Sequence, residues 1–157
     1  MSETETSQPQ FAIQRLYLKD LSFETPNTPH IFNTQGESAV NVELDSSATR
    51  LAESVYEVVL SLTVTSKLAD KVAYLVEVKQ AGIFTMSGFK EQDLNGMLHS
   101  FCPNILFPYV RESISSVVNK GSFPQLLLAP INFDAIYAQH LEKQKQLLAS
   151  SDTAAVH

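Results

Sequence analysis

Residues 55 to 79 constrain the fold more tightly than any other part of the chain. Tyr56, Val58, Leu60, Leu62 and Val64 alternate with Glu57, Val59, Ser61, Thr63 and Thr65. After the polar connection Ser66-Lys67-Leu68-Ala69-Asp70-Lys71 the alternation resumes, Val72, Tyr74, Val76 and Val78 against Ala73, Leu75, Glu77 and Lys79. Successive side chains of a strand point to opposite faces, so each run turns one apolar face inward and one mixed face outward. A connection of hairpin length joins the two runs antiparallel. One buried and one mixed face is the pattern of an antiparallel sheet covered by helices on one side only.

The remaining text supplies the other strands and the helices. Phe11, Ile13, Arg15 and Tyr17 form one face of a first strand, with Ala12, Gln14, Leu16 and Leu18 on the other. Pro26 and Pro29 end it, because each lacks a donor and fixes its own backbone angle, and a long connection with Ile31 and Phe32 follows. Val40 to Leu44 alternates as a second strand. After Gly88 the spacing changes to three and four: Leu94, Met97, Leu98 and Phe101 predict a short helix ending near Pro103. Asn104 is placed to cap a second helix with Pro108 in its first turn, Ile114, Val117 and Val118 as its stripe and Gly121 as its stop. Asn132 is placed to cap a third, with the stripe Phe133, Ile136, Tyr137, Leu141 and Leu148. The expectation is α+β: a four-stranded antiparallel sheet with helices packed on one face. Residues 11–148 form the one domain that 157 residues suggest, between a disordered N-terminal tail (1–10) and a flexible C-terminal tail (149–157).

Enzyme chemistry finds little purchase. His30, His99, His140 and His157 have no Cys or His partner at ligand spacing, so no metal site is expected. Cys102, beside Pro103 in an apolar helix end, reads as a buried, inert thiol. The five glycines make no phosphate loop. Glu53 and Glu57 read as solvated surface. No cofactor is expected. With 11 basic and 17 acidic residues the net charge is −6, which argues against nucleic acid and admits a basic protein partner, or simply keeps the chain soluble. One cysteine allows no internal disulfide, no apolar run reaches membrane-spanning length, and the polar, acidic start is unlike a secretory signal; the expected location is the cytoplasm.

An excess of apolar and aromatic residues in irregular segments is left over: Pro26, Pro29, Phe32, Phe84, Phe107, Tyr109, Phe123, Leu126, Leu127 and Leu128. Core packing or self-association would absorb some of them. A groove for an extended apolar chain, with pockets for side chains beside a strand edge, would absorb the others.

The segments Phe101-Cys102-Pro103-Asn104-Ile105-Leu106-Phe107-Pro108-Tyr109-Val110-Arg111-Glu112 and Gly121-Ser122-Phe123-Pro124-Gln125-Leu126-Leu127-Leu128-Ala129-Pro130-Ile131-Asn132-Phe133-Asp134-Ala135-Ile136-Tyr137 closely resemble the SecB family of protein-export chaperones. So do Ile13-Gln14-Arg15, Lys19-Asp20-Leu21-Ser22-Phe23-Glu24, Pro26-Asn27, Pro29-His30, Val55-Tyr56-Glu57-Val58-Val59-Leu60 and Gly82-Ile83-Phe84. The resemblance implies an ATP-independent holdase that keeps unfolded secretory preproteins open and delivers them to the SecA motor ATPase. It implies a homotetramer built as a dimer of dimers. It assigns SecA contact to Asp20, Glu24, Leu75 and Glu77, which on the residues alone read as ordinary solvated positions. It places the substrate groove regionally at Pro26, Pro29, Phe32, Phe84, Tyr109, Phe123, Leu126, Leu128 and Tyr137, and oligomer assembly at Val76, Val78 and Gln80. The chain departs from the family in having Gly36 and no Trp in the crossover, and only Asp152 as an acidic residue from Ala149 onward. Two alternatives stay open: a SecB-like chaperone dedicated to one antitoxin, and a small-ligand or enzymatic domain using the same apolar cleft.

Overall fold

The computed structural model describes residues 8–154. Most of the expected N-terminal tail (residues 1–7) and the end of the expected C-terminal tail (residues 155–157) lie outside the described residues. Four strands, β1 (Gln10–Glu24), β2 (Ser38–Ala52), β3 (Val55–Leu68) and β4 (Lys71–Ser87), form one antiparallel sheet in the order β1-β4-β3-β2. The central hairpin turns at Ala69 and Asp70, whose φ of 51° and 63° match the twist of a tight two-residue turn.

β1 and β2 occupy opposite edges, so the chain between them must cross one end of the sheet. It does so through a short 3-10 turn (His30–Asn33) that buries Ile31. The crossing passes hard against the hairpin turn: a Cβ on Gly36, whose φ is +152°, would stand 2.7 Å from the Ala69 Cβ. Ala69 donates its N–H to the Glu37 carbonyl at 2.9 Å. Asn27 Nδ2 donates to the Val72 carbonyl at 2.9 Å and fixes the start of the crossing to β4.

Two departures from simple alternation matter. β1 shifts register between Ile13 and Arg15 and again between Leu18 and Asp20. An extra residue in one strand reverses the facing of those that follow. Hence Leu16 and Leu18, expected opposite Phe11 and Ile13, lie on the same side as them, facing Gly82 and Gln80 across the ladder. A similar shift between Ser66 and Lys67 accompanies the burial of Ala73, which strict alternation placed outward.

The helical layer differs from the sequence expectation at one point. α1 (Glu91–Gly96) does not stop near Pro103; it passes through a π-helical turn (Met97–Phe101) into α2 (Cys102–Lys120). The Cys102 N–H reaches back to the Met97 carbonyl, and this wider turn accommodates Pro103 without a break. Asn104 therefore caps nothing, and Pro108 lies inside the helix. Gly121 ends α2 for a reason of space: a Cβ there would sit 2.7 Å from Phe23 Cζ and 2.9 Å from Phe123 Cδ2. The left-handed residue is Ser122, with φ of 62°. Asn132 caps α3 (Phe133–Ala154) as expected, its Oδ1 accepting from the Ala135 N–H at 3.0 Å. The helix continues beyond Leu148 into what the sequence suggested was tail.

Leu106, Val110, Ile114 and Val118 of α2 meet Val58, Leu60, Leu62 and Val64 of β3 and Val76, Val78 and Phe84 of β4 in the core, all at 0% exposure. Truncating Leu106 to Ala at the centre of this contact should cost about 2–5 kcal/mol. Chemical denaturation will show it as a lower midpoint at unchanged slope.

Candidate functional site

The end of the sheet crossed by the connection carries an open apolar cavity of about 450 Å³. The 3-10 turn presents Phe32, 51% exposed, on one side. The segment after α2 presents Phe123 and Leu126 on the other. Phe123 lies between Phe32 and Tyr74, with ring centroids 5.4 and 5.0 Å away, and Tyr74 continues to Phe23 at 6.1 Å. Ser115 Oγ donates to the Leu126 carbonyl at 3.0 Å, which holds the loop wall on α2. Ser38 and Val40 of the edge strand β2 line a further side. Burial raises the Tyr74 phenol above its ordinary range, a hydrogen bond to Ser66 opposing it, so the ring offers a neutral apolar face. No Asp, Glu, Lys, Arg or His lines this cavity. Its chemistry is burial of apolar side chains next to backbone groups of a strand edge.

A second cavity, of about 770 Å³, opens where α3 leaves the π-helical turn; Met97, Phe101, Phe133 and Tyr137 contribute its apolar lining. The expected groove residues thus divide. Phe32, Phe123 and Leu126 meet in the first cavity, and Tyr137 lines the second. Pro26 and Pro29 are exposed on the crossing, Tyr109 is exposed on α2, and Leu128 packs partly buried against the core. Phe84 is corrected: it is fully buried among core residues and stacked by Phe11 at 5.8 Å, out of reach of any groove in the protomer. Tyr74 and Val40 also line the first cavity, which the sequence concealed, since both read as strand positions.

The outer face of the sheet assembles the four positions assigned to a partner. In the β1–β4 ladder Glu24 stands opposite Leu75, Ser22 opposite Glu77 and Asp20 opposite Lys79. The carboxylates of Asp20, Glu24 and Glu77 form no ion pair or side-chain hydrogen bond among the described residues. Glu57, read as solvated, is engaged: it accepts from the Tyr17 hydroxyl and lies 2.9 Å from Lys19 Nζ. The Tyr17 and Lys19 bonds hold the Glu57 carboxyl below its usual range. Burial, and then this bond, push the Tyr17 phenol up to about 12. Lys19 is the extra residue of the second β1 register shift, which aims it outward at Glu57. Val76, Val78 and Gln80 face the helices and are buried within the protomer.

The sequence profile described as Preprotein translocase subunit SecB matches residues 4–144. The Protein-export protein SecB of Methylococcus capsulatus is 57% identical over 148 residues, covering 93% of this chain and 95% of that one. Those of Nitrosococcus oceani and Marinobacter nauticus are each 56% identical, over 147 and 140 residues, covering 92% and 89% of this chain and 89% and 85% of theirs. Among solved structures, a SecB-like chaperone of Mycobacterium tuberculosis in complex with an antitoxin peptide has the same fold. Its TM-score is 0.58 at 17% identity, covering 77% of this chain and 87% of that one.

Cys102 takes no part in either cavity. It is fully buried, and desolvation pushes its thiol up to about 12, so no thiolate is available near neutral pH. Iodoacetamide at pH 8 should leave the folded protein unmodified and add one group per chain after denaturation, as read by intact mass.

Proposed function

This chain belongs to the SecB family, and we propose that it is a protein-export chaperone: an ATP-independent holdase that binds unfolded secretory preproteins and passes them to the SecA motor. The observation that carries the reading is the uncharged aromatic cavity of Phe32, Tyr74, Phe123 and Leu126 beside the edge of β2. Such a surface rewards any extended apolar segment and selects no particular sequence. It brings together no nucleophile, base or phosphate cradle. Burying one client side chain is worth only about 1.5–3 kcal/mol, so firm holding needs several grooves at once. A homotetramer supplies them. In support, β1 is an edge strand whose helix-facing row leaves Ile13, Leu18 and Leu21 exposed at 46, 47 and 38%, an apolar strip that a second copy would cover.

Delivery falls to the outer face. Asp20, Glu24 and Glu77, none of them in an ion pair among the described residues, offer negative charge around the apolar contact of Leu75, suited to a small basic element of the motor. The relatives named for protein export are more than half identical to this chain, whereas the chaperone seen with an antitoxin peptide is 17% identical and shares only the fold. Export is therefore the reading over service to a single antitoxin.

The test is aggregation of a chemically unfolded preprotein followed by turbidity without nucleotide, with the chaperone's mass taken from light scattering. Four chains per particle and near-complete suppression at about one tetramer per client are expected. A monomer that leaves aggregation unchanged at several-fold excess would falsify the proposal.

The two faces should also be separable. Phe32→Asp should weaken client binding by about tenfold or more. Asp20→Arg or Glu77→Lys should weaken SecA binding and leave holding near normal, with raised salt reproducing part of that loss. Equal loss of both activities in the charge variants, measured by calorimetry against each partner, would refute the division of labour.

A further inference from the structure

His99 and His140 are remote in sequence, yet both border one cavity of about 280 Å³ between the π-helical turn, α3 and β2. His99 stacks on Tyr137 of α3, with centroids 5.9 Å apart and planes 19° apart. His140 Nε2 lies 3.1 Å from the Gln144 side-chain amide nitrogen, a bond in which a neutral imidazole accepts. One step away, the buried Ser100 donates its hydroxyl to Asp134. The His99–Tyr137 stack and the Ser100–Asp134 bond, with buried Phe133, seat α3 on the π-helical turn; beyond its first turns α3 is exposed through Asp152.

We propose that this seat is a pH-sensitive latch: α3 lies on the π-helical turn while the His99 imidazole is neutral, and loosens, widening the adjoining 770 Å³ cavity, when that ring is protonated.

The charge balance around the pair supports that direction. The one titratable group of β2 lining the shared cavity is Asp45; from α3 the titratable groups are His140 itself and the phenol of Tyr137. Asp134, also on α3, is engaged by Ser100. Asp93 of α1 borders the neighbouring cavity, and no Lys or Arg borders either. An imidazolium at His99 would therefore share the space with His140 and with the single carboxylate of Asp45. His99 is exposed as a residue, but its ring is partly desolvated; that desolvation, and then the charge of His140, hold it below the ordinary imidazole range. A ring with a lower pKa in the seated state than in the released one binds fewer protons when seated. Seating is thus fully favoured above about pH 6.5 and is lost as the pH falls below it.

Hydrogen exchange on the full-length protein, corrected for intrinsic rates, tests this. Amides 135–141 should lose about tenfold of their protection between about pH 7.5 and 5.5, while those of α2 keep theirs. His140→Gln, at an exposed position that folding tolerates, should reduce that loss without abolishing it, because the desolvation of the His99 ring remains. In the same variant the His99 ring, followed by NMR, should titrate at a higher pH than in the parent protein. Protection that ignores pH, a pH-dependent loss that is unchanged in His140→Gln, or a His99 midpoint that does not move in that variant would each overturn the latch.

Discussion

Everything else in this protein is arranged around the contact between the α2 stripe and the inner face of β3 and β4. Leu106, Val110, Ile114 and Val118 lie against Val58, Leu60, Leu62, Val64, Val76 and Val78 with no water left between them. The contact fixes where α2 ends, and so where the loop behind Gly121 departs toward the crossing. It also fixes the π-helical turn that bears α3. Both cavities are thus edges of one packing event rather than features added to it. The outer face of the sheet, spared from this contact, is free to carry charge.

Irregularities in the backbone do much of the positioning. The two register shifts of β1 keep Phe11, Ile13, Leu16, Leu18, Leu21 and Phe23 on the helical side and still send Lys19 to Glu57 on the other. Because β1 and β3 are not neighbours, the Tyr17–Glu57–Lys19 group bridges over β4 across the small side chain of Ala81, which stands opposite Tyr17. That bridge consumes one acid and one base, and leaves Asp20, Glu24 and Glu77 outside any ion pair among the described residues. At the helical layer, the wide turn before Pro103 turns an expected break into a continuous rod, and this carries His99 and Ser100 to the base of α3.

The central hairpin was legible in the sequence because its alternation is strict and its turn short, and Asn132 announced itself as a cap. The β1 shifts were not, since an extra strand residue leaves the same letters in the same order and changes only which side they face. Neither was the fusion of α1 with α2: a proline inside an apolar helix reads as a stop unless the turn before it is known to widen. At the site, Phe32, Phe123 and Leu126 stood out because large apolar groups are unusual in loops. Phe84 shared that profile but lies in a strand whose inward positions continue to Met86, and there the core claims it. Tyr74 and His140 were hidden for the opposite reason. Each sits in regular structure, and only the fold reveals what stands across from it.

The loop between α2 and α3 forms a wall of both cavities, through Phe123 and Leu126 at one end and Ile131 at the other. A partition shared by two rooms cannot be moved for one tenant alone. A guest that displaced this loop in the first would reshape the second, and by reciprocity a guest in the second would change affinity at the first to the same degree. A long guest threading past both would therefore meet a surface that it had itself remade along the way.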